Sequence, residues 1–319
     1  MLLLTEEDVL ALLPMARAIE LVEASFLAQH KGQAINRSRE RIFLPHASLH
    51  YMAAALPEDN LMGMKIYSVT RGSFRFVVLL YEANTGRLLA MLEADHLGRL
   101  RTGAASGVAT KYLARANSTR AGVIGAGGQA RTQLAAVAEV RKISRARAFG
   151  RDTERRSTFC REMSNQLGIV VEPAESAEAA ARDADIVITA TTSNQPVVQG
   201  DWLHPGTHIN AIGANMAMRR ELDDAAIARA DAIVVDSLEQ AREESGDLIQ
   251  GFKSSPSRWE DVHELHEIVA GSRSGRKSDD EITLFKSNGI AIWDVAVAGY
   301  VYRQAMAQGR GKKIKILEE

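Results

Sequence analysis

Three short stretches carry residues whose types and spacing could do chemistry. The first is Val123-Ile124-Gly125-Ala126-Gly127-Gly128-Gln129-Ala130, a G-x-G-x-x-A pattern lying after an apolar run and before a helical one. Gly125 permits a tight turn, Gly127 lets a pyrophosphate approach the backbone, and Ala130 keeps helix and strand close. The first N–H groups of the helix, from Gly128 and Gln129 onward, then face the phosphates. In an NAD site an acid about 20 residues further on binds the ribose. Here that point is Gly150, followed by Arg151, Asp152, Arg155 and Arg156. Arginine pairs with a 2′-phosphate, so NADP(H) is expected over NAD(H), with Asp152 the group that would serve NAD(H). The second stretch is Met62-Gly63-Met64-Lys65-Ile66-Tyr67. A lysine buried in such an apolar strand must be paired or active, because its desolvation is costly. Strand alternation could equally turn it outward. The third is Leu100-Arg101-Thr102-Gly103, where Arg101 could grip a carboxylate through two parallel hydrogen bonds or form a structural ion pair.

The elements that must position these residues fall into two textures. Thr5-Glu6-Glu7-Asp8 resembles a capping box, and Pro14 opens a helix to His30. From about Arg41 to Glu93 short apolar runs alternate with turn signals, and Asn84-Thr85-Gly86 suits a hairpin. An Ala-rich helix over about Leu97 to Ala114 closes this α+β portion. After Ala116-Asn117-Ser118-Thr119, strands and helices alternate (AGVIGAG, RARAFGR, IVVEPA, ADIVITAT, THINAIGA, DAIVVD, TLFKSNG), as in a parallel sheet covered on both faces. Residues 251–280 read as loop, and a final apolar helix spans Ala291 to Gln308. The expected fold class is α/β: a Rossmann-type doubly wound parallel sheet, 117–290, inserted in a split α+β domain, 1–116 plus 291–319.

Composition narrows the function. The 319 residues suit two domains, and 46% hydrophobic with 25% charged residues excludes general disorder. Lys+Arg is 39 against Asp+Glu 40, a net charge of −1, which argues against a nucleic-acid binder. The lone Cys160 excludes a disulfide framework. No apolar run approaches a membrane span and the first residues lack a basic leader, so a cytoplasmic protein without membrane partners is expected. The histidines show no HExxH pattern. His263 and His266 could share a helix face, but no third ligand is evident, so no metal is expected.

Taken together, GMKIYSV, LRTGAASGVATKYLAR, GVIGAGGQA, DIVITATTS, INAIGAN followed by RRELDD, VVDSLEQAREESGDL and TLFKSNGIAIWDVAVA resemble the ornithine cyclodeaminase/μ-crystallin family over nearly the whole chain. The resemblance implies a dinucleotide-binding domain, a split substrate domain that also makes a homodimer, and chemistry at an amino-acid Cα–N bond. It assigns Arg101 and Lys65 to the substrate carboxylate, with Lys65 also available as an acid. A second carboxylate-binding arginine is implied at Arg39, with Arg41 a competitor in the repetitive Arg37-Ser38-Arg39-Glu40-Arg41. Thr191 and Thr192, after one strand, and Ser287 and Gly289, after another, are implied at the cofactor. Asn215 departs from the cyclodeaminase pattern, which has aspartate there. An amide hydrogen-bonds an amine or imine but does not exchange protons near pH 7. The expected activity is therefore hydride transfer between a nicotinamide and the Cα of an imino or amino acid, with Lys65 and Asn215 as catalytic residues. An ornithine or lysine cyclodeaminase, or a non-catalytic NADP-dependent binding protein of the μ-crystallin type, is the alternative.

Overall fold

A computed structural model describes residues 1–253 and 255–316. The chain order begins with β1 (Leu2–Leu4), α1 (Glu6–Leu12), α2 (Met15–His30), β2 (Ile35–Phe43), β3 (Ala47–Leu56), β4 (Leu61–Thr70), β5 (Ser73–Glu82), β6 (Leu88–Glu93) and α3 (Asp95–Leu113). It continues through β7 (Arg120–Ile124), α4 (Gly128–Val140), β8 (Arg145–Phe149), α5 (Thr153–Leu167), β9 (Val170–Pro173), α6 (Ala177–Ala181), β10 (Ile186–Thr189), β11 (His208–Ala211), α7 (Asp224–Arg229), β12 (Ala232–Val235), α8 (Leu238–Glu244), α9 (Gly246–Gly251), β13 (Val262–Glu264), α10 (Leu265–Val269) and β14 (Thr283–Lys286). It ends with α11 (Ala291–Gln308) and β15 (Lys312–Lys313). Two units result: Met1–Arg101 with Gly289–Glu319, and Thr102–Asn288. Residues 317–319 of the expected second segment lie outside the described residues.

The first unit is built on a sheet of order β15-β1-β6-β5-β4-β3-β2, antiparallel except for the β1–β6 pair. Inward and outward residues alternate along β3 and β4, which puts His50, Met52, Lys65 and Tyr67 on the covered face. The apolar helix α11 packs on β2 to β5 and on α2. Thr5 and Asp8 form the capping box of α1, and Gly86, at φ 72°, completes the turn between β5 and β6.

The second unit holds a wholly parallel sheet, β13-β12-β14-β11-β10-β7-β8-β9, among the described residues. The chain runs outward through β7, β8 and β9, then returns to lay β10 on the other side of β7. This reversal makes the C-terminal ends of β7 and β10 the topological switch point, where ligands bind in such sheets. The stretch 251–280, expected as loop, contains β13 and α10. They are too short to show a periodic pattern in sequence.

The division between units falls within α3, after Arg101, and not after residue 116. The second half of α3 is tied into the second unit. Arg141 Nη2 donates to the carbonyls of Thr110, Lys111 and Ala114, and Asn210 Nδ2 donates to Thr110 Oγ1. No helix among the described residues is long and apolar enough to cross a membrane.

The entry to the second sheet is held by Asp185. Its carboxylate accepts from Thr119 N and Arg120 N at 2.9 and 3.0 Å and pairs with Arg115. Burial alone would push this carboxyl up, but those N–H groups and the Arg120 guanidinium pull it below the ordinary value. Its contribution is present above the usual carboxylate pKa of about 4 and is lost as pH falls through the depressed folded value. Asp185→Ala is expected to destabilise by about 2–4 kcal/mol near neutral pH. The gap to wild type in urea midpoint should close on acidification.

Candidate active site

The first unit gathers a set of buried cations. Lys65, on β4, faces inward with 4% exposure, opposite Met52 and Val78 of the flanking strands. Its Nζ donates to Asp294 Oδ1 at 3.1 Å and lies 5.4 Å from the ring centre of Phe76. Arg101, on α3, donates from Nε to the same oxygen at 3.0 Å, and its guanidinium lies over Trp293. Arg39 Nη2 donates to Gly289 O at 3.2 Å. Among the described residues, Arg101 Nη1 and Nη2 make no hydrogen bond, and only one Lys65 N–H donor is used.

Local sequence explains how these side chains fit. Between β2 and β3 the register slips from Arg37↔Ala53 to Glu40↔Tyr51, so Ser38 and Arg39 both oppose Met52. This bulge reverses the side-chain alternation. Arg39 is thereby turned inward, 6% exposed, and Arg41 is only half-buried beside His50. Arg39 is the more deeply buried of the two arginines. Two glycines clear space. A Cβ on Gly98 would lie 2.8 Å from Lys65 Nζ, and one on Gly289, at φ 82°, would lie 2.7 Å from Arg101 Nη1. Gly289, which sequence grouped with the cofactor residues, is therefore part of the arginine cluster.

The electrostatics follow from burial. Desolvation, then the charge of Arg101, lowers the Lys65 pKa to about 8, while Asp294 resists the shift. The Asp294 carboxyl is opposed by burial but held below its ordinary value by Arg101 and Lys65. His50 is lowered to about 4 by burial and by Arg41 and Arg39, so it is neutral near pH 7.

The second unit presents a separate cradle. Gly125 has φ 124°, and a Cβ there would lie 2.4 Å from Ala190 O, so only glycine fits. Helices α5, α6, α7 and α8 begin on Asp152, Ser176, Asp223 and Ser237, each accepting a backbone N–H. By contrast α4 begins on Gly127, with no side-chain cap. Ala130, in the first turn of α4, is fully buried. That combination suits a pyrophosphate at the start of α4. Arg151 is exposed at the turn after β8. Arg155 Nε donates to Ala126 O at 3.2 Å, which fastens α5 to the glycine loop. Asp152 accepts Arg155 N as the cap of α5.

Sequence reasoning missed the group that organises the strand ends here. Glu221, fully buried, accepts from Thr191 N and Oγ1, Thr189 Oγ1 and Gly213 N, at 2.7–2.8 Å. Burial and nearby Asp247 push its carboxyl up, and Lys286 and the threonines oppose this. Asp247 in turn accepts from Glu221 N and Leu222 N and pairs with Lys286 at 3.2 Å. Thr191 therefore commits its hydroxyl proton to Glu221, and Thr192 is exposed. Ser287 donates to Asp236 Oδ2. Asn215, half-buried after β11, does not take positive φ, which among the described non-glycine residues occurs only at Asn60. The choice of asparagine is thus not a backbone requirement. RRELDD marked Glu221 in the sequence, but nothing local marked it as buried.

A model of the ornithine cyclodeaminase/mu-crystallin family matches residues 1–309, and the chain belongs to that family. Alanine dehydrogenase of Archaeoglobus fulgidus is 37% identical over 98% of each chain. The structure of Thermococcus litoralis Delta(1)-pyrroline-2-carboxylate reductase in complex with NADH and L-proline is 41% identical, with a TM-score of 0.95 over 98% of this chain and 100% of that one. An archaeal alanine dehydrogenase dimer with bound NAD is 37% identical, with a TM-score of 0.93 over 99% of each chain.

Glutamine at position 221 would set an NH2 group against N–H and O–H donors. Glu221→Gln is expected to lower stability by about 2–4 kcal/mol and to weaken nicotinamide dinucleotide binding about tenfold. A urea titration and a fluorescence titration with NADH and NADPH would measure the two effects.

Proposed function

We propose that the chain is an NAD(P)H-dependent oxidoreductase that moves hydride between nicotinamide C4 and the Cα of a small imino or amino acid, as a ketimine reductase or amino-acid dehydrogenase. The observation that carries this reading is the buried cluster of Arg39, Lys65 and Arg101 with uncommitted donors on Arg101 and Lys65. A substrate carboxylate completes it: the Nη1–Nη2 edge of Arg101 matches the two oxygens, and Lys65 and Arg39 add charge. The glycine loop and the start of α4 hold the pyrophosphate, with Thr191, Thr192 and Ser287 nearer the nicotinamide half.

Bound nicotinamide supplies the hydride. In reduction the imine carbon gains that hydride and the imine nitrogen takes one proton from the Lys65 ammonium, which leaves a neutral amine on the enzyme. A lysine lowered to about 8 is well matched to this exchange near neutral pH. Asn215 hydrogen-bonds the substrate nitrogen. Cyclodeamination needs repeated proton transfers at the amine while ammonia leaves, and an amide does not supply them. The reductase reading is therefore preferred to a cyclodeaminase.

The test is anaerobic NADPH and NADH oxidation with pyrroline-2-carboxylate, piperideine-2-carboxylate, and pyruvate with ammonia. Turnover should appear with at least one of them, falling as pH rises through about 8 because the ammonium is lost. Oxidation of the corresponding amino acid should rise over the same range. Lys65→Met should lose about a hundredfold or more in rate. Silence with every substrate, or ammonia release from ornithine without net cofactor change, would replace this reading.

We further propose that NADP(H) is preferred to NAD(H), with Arg151 and Arg155 supplying the contact to the 2′-phosphate and Asp152 occupied as a helix cap. The double variant Arg151→Ala/Arg155→Ala should lose about tenfold in kcat/KM with NADPH and stay within about twofold with NADH. Equal losses with both cofactors would count against it. On the same reading the enzyme is cytoplasmic and a homodimer. The dimeric archaeal alanine dehydrogenase supports the homodimer, as do the exposed apolar side chains Ile35, Ile42, Phe43 and Phe74.

A further inference from the structure

Asp294 has no part in the proposed proton or hydride transfer, yet it is the residue on which the cation cluster converges. It lies one residue after fully buried Trp293 on α11 and is 1% exposed. Its Oδ1 accepts both Lys65 Nζ and Arg101 Nε, and its Oδ2 is buried without a hydrogen bond among the described residues. The consequence for Arg101 is directional. With Nε occupied from one side, the guanidinium plane is fixed and its Nη1–Nη2 edge is the free one. A lysine and an arginine placed this close in a dry site would otherwise repel, and each would drift toward whatever anion or water it could reach.

We propose that Asp294 is the positioning residue of this site, one carboxylate oxygen that sets the orientation of the Arg101 edge and holds the Lys65 ammonium in place and in its protonated form. The inference rests on the reading of Lys65 as proton donor. Asp294 touches neither substrate nor cofactor in this scheme and acts through the two cations.

The charged groups facing Lys65 are Arg39 from β2, Arg101 from α3 and Asp294 from α11. From β3, His50 is neutral above about pH 4, and β5 presents the Phe76 ring. Of these, Asp294 is the one carboxylate, and it opposes desolvation and the two arginines. Its removal leaves only influences that favour the neutral amine. The alkaline fall in reductase activity should then move to lower pH. At the same time the substrate carboxylate should bind less well, because the Arg101 edge is no longer fixed.

Asp294→Asn is the direct test, read as the pH profile of kcat/KM for the imino acid that the wild type reduces. The alkaline limb should move down by about one pH unit or more, and KM should rise about tenfold. An unchanged limb with unchanged KM overturns the proposal. Lys65→Met separates this from the underlying reading: if that variant keeps the wild-type rate and limb, Lys65 is not the donor, whatever Asp294 does. NADPH binding and near-ultraviolet circular dichroism report whether each variant is folded. Should Asp294→Asn fail to fold, Asp294→Glu carries the test. It keeps the charge but shifts the oxygen, so the limb should stay near the wild-type pH while KM rises about threefold or more. Wild-type kcat and KM in Asp294→Glu would overturn the positioning role.

Discussion

Positive charge buried in an apolar interior is the constraint on which this molecule is organised. Arg39, Lys65 and Arg101 are each at most 6% exposed. Desolvating such groups is unfavourable unless opposite charge and hydrogen bonds offset it. Asp294 offsets part of it by sharing one oxygen between two of the cations. What remains is an excess of donors over acceptors, which is the feature the proposed carboxylate-binding role rests on. The β2 bulge, the missing side chains at Gly98 and Gly289 and the inward parity of β4 all serve that one arrangement.

The second unit solves a different problem with a similar device. Loops that follow parallel strands carry backbone N–H groups that need partners. Glu221 collects three strand ends at once, those of β10 and β11 directly and that of β14 through Asp247 and Lys286. A carboxylate fully enclosed by donors is a rigid hub, because none of its bonds can be exchanged for water. The glycine loop needs no such hub, since Gly125 is fixed by its own backbone shape and by Gly125 N donating to Phe149 O.

The contrast explains what could be read in the sequence. The G-x-G-x-x-A pattern, the strand–helix alternation and the capping residues are local, so spacing alone revealed them. Lys65 was visible as a polar residue in an apolar strand, but its inward direction depends on register. Arg39 and Arg41 are two apart on one strand and share a face, so spacing does not separate them; the difference lies in depth, 6% exposure for Arg39 against half-burial for Arg41. Asp294 gave no signal, since its partners Lys65 and Arg101 lie 229 and 193 residues earlier. Thr191 and Ser287 lie just after β10 and β14, and their hydroxyl protons are engaged by Glu221 and Asp236. Family resemblance marks positions and does not reveal such buried partners.

The position of α11 after the inserted unit has a consequence for the order in which the protein matures. A chain emerging from the ribosome releases Lys65 and Arg101 long before Asp294, with the whole of residues 102–288 made in between. Domains fold as units during synthesis, so the second unit has every residue it needs while the first still lacks its central helix. Until α11 arrives, the covered face of the first sheet is open to water, and Arg39, Lys65 and Arg101 are hydrated. The dry, charged cluster is the last part of the molecule to exist, and a nascent chain that ends between residues 288 and 294 has the whole second unit but lacks the carboxylate on which Lys65 and Arg101 converge.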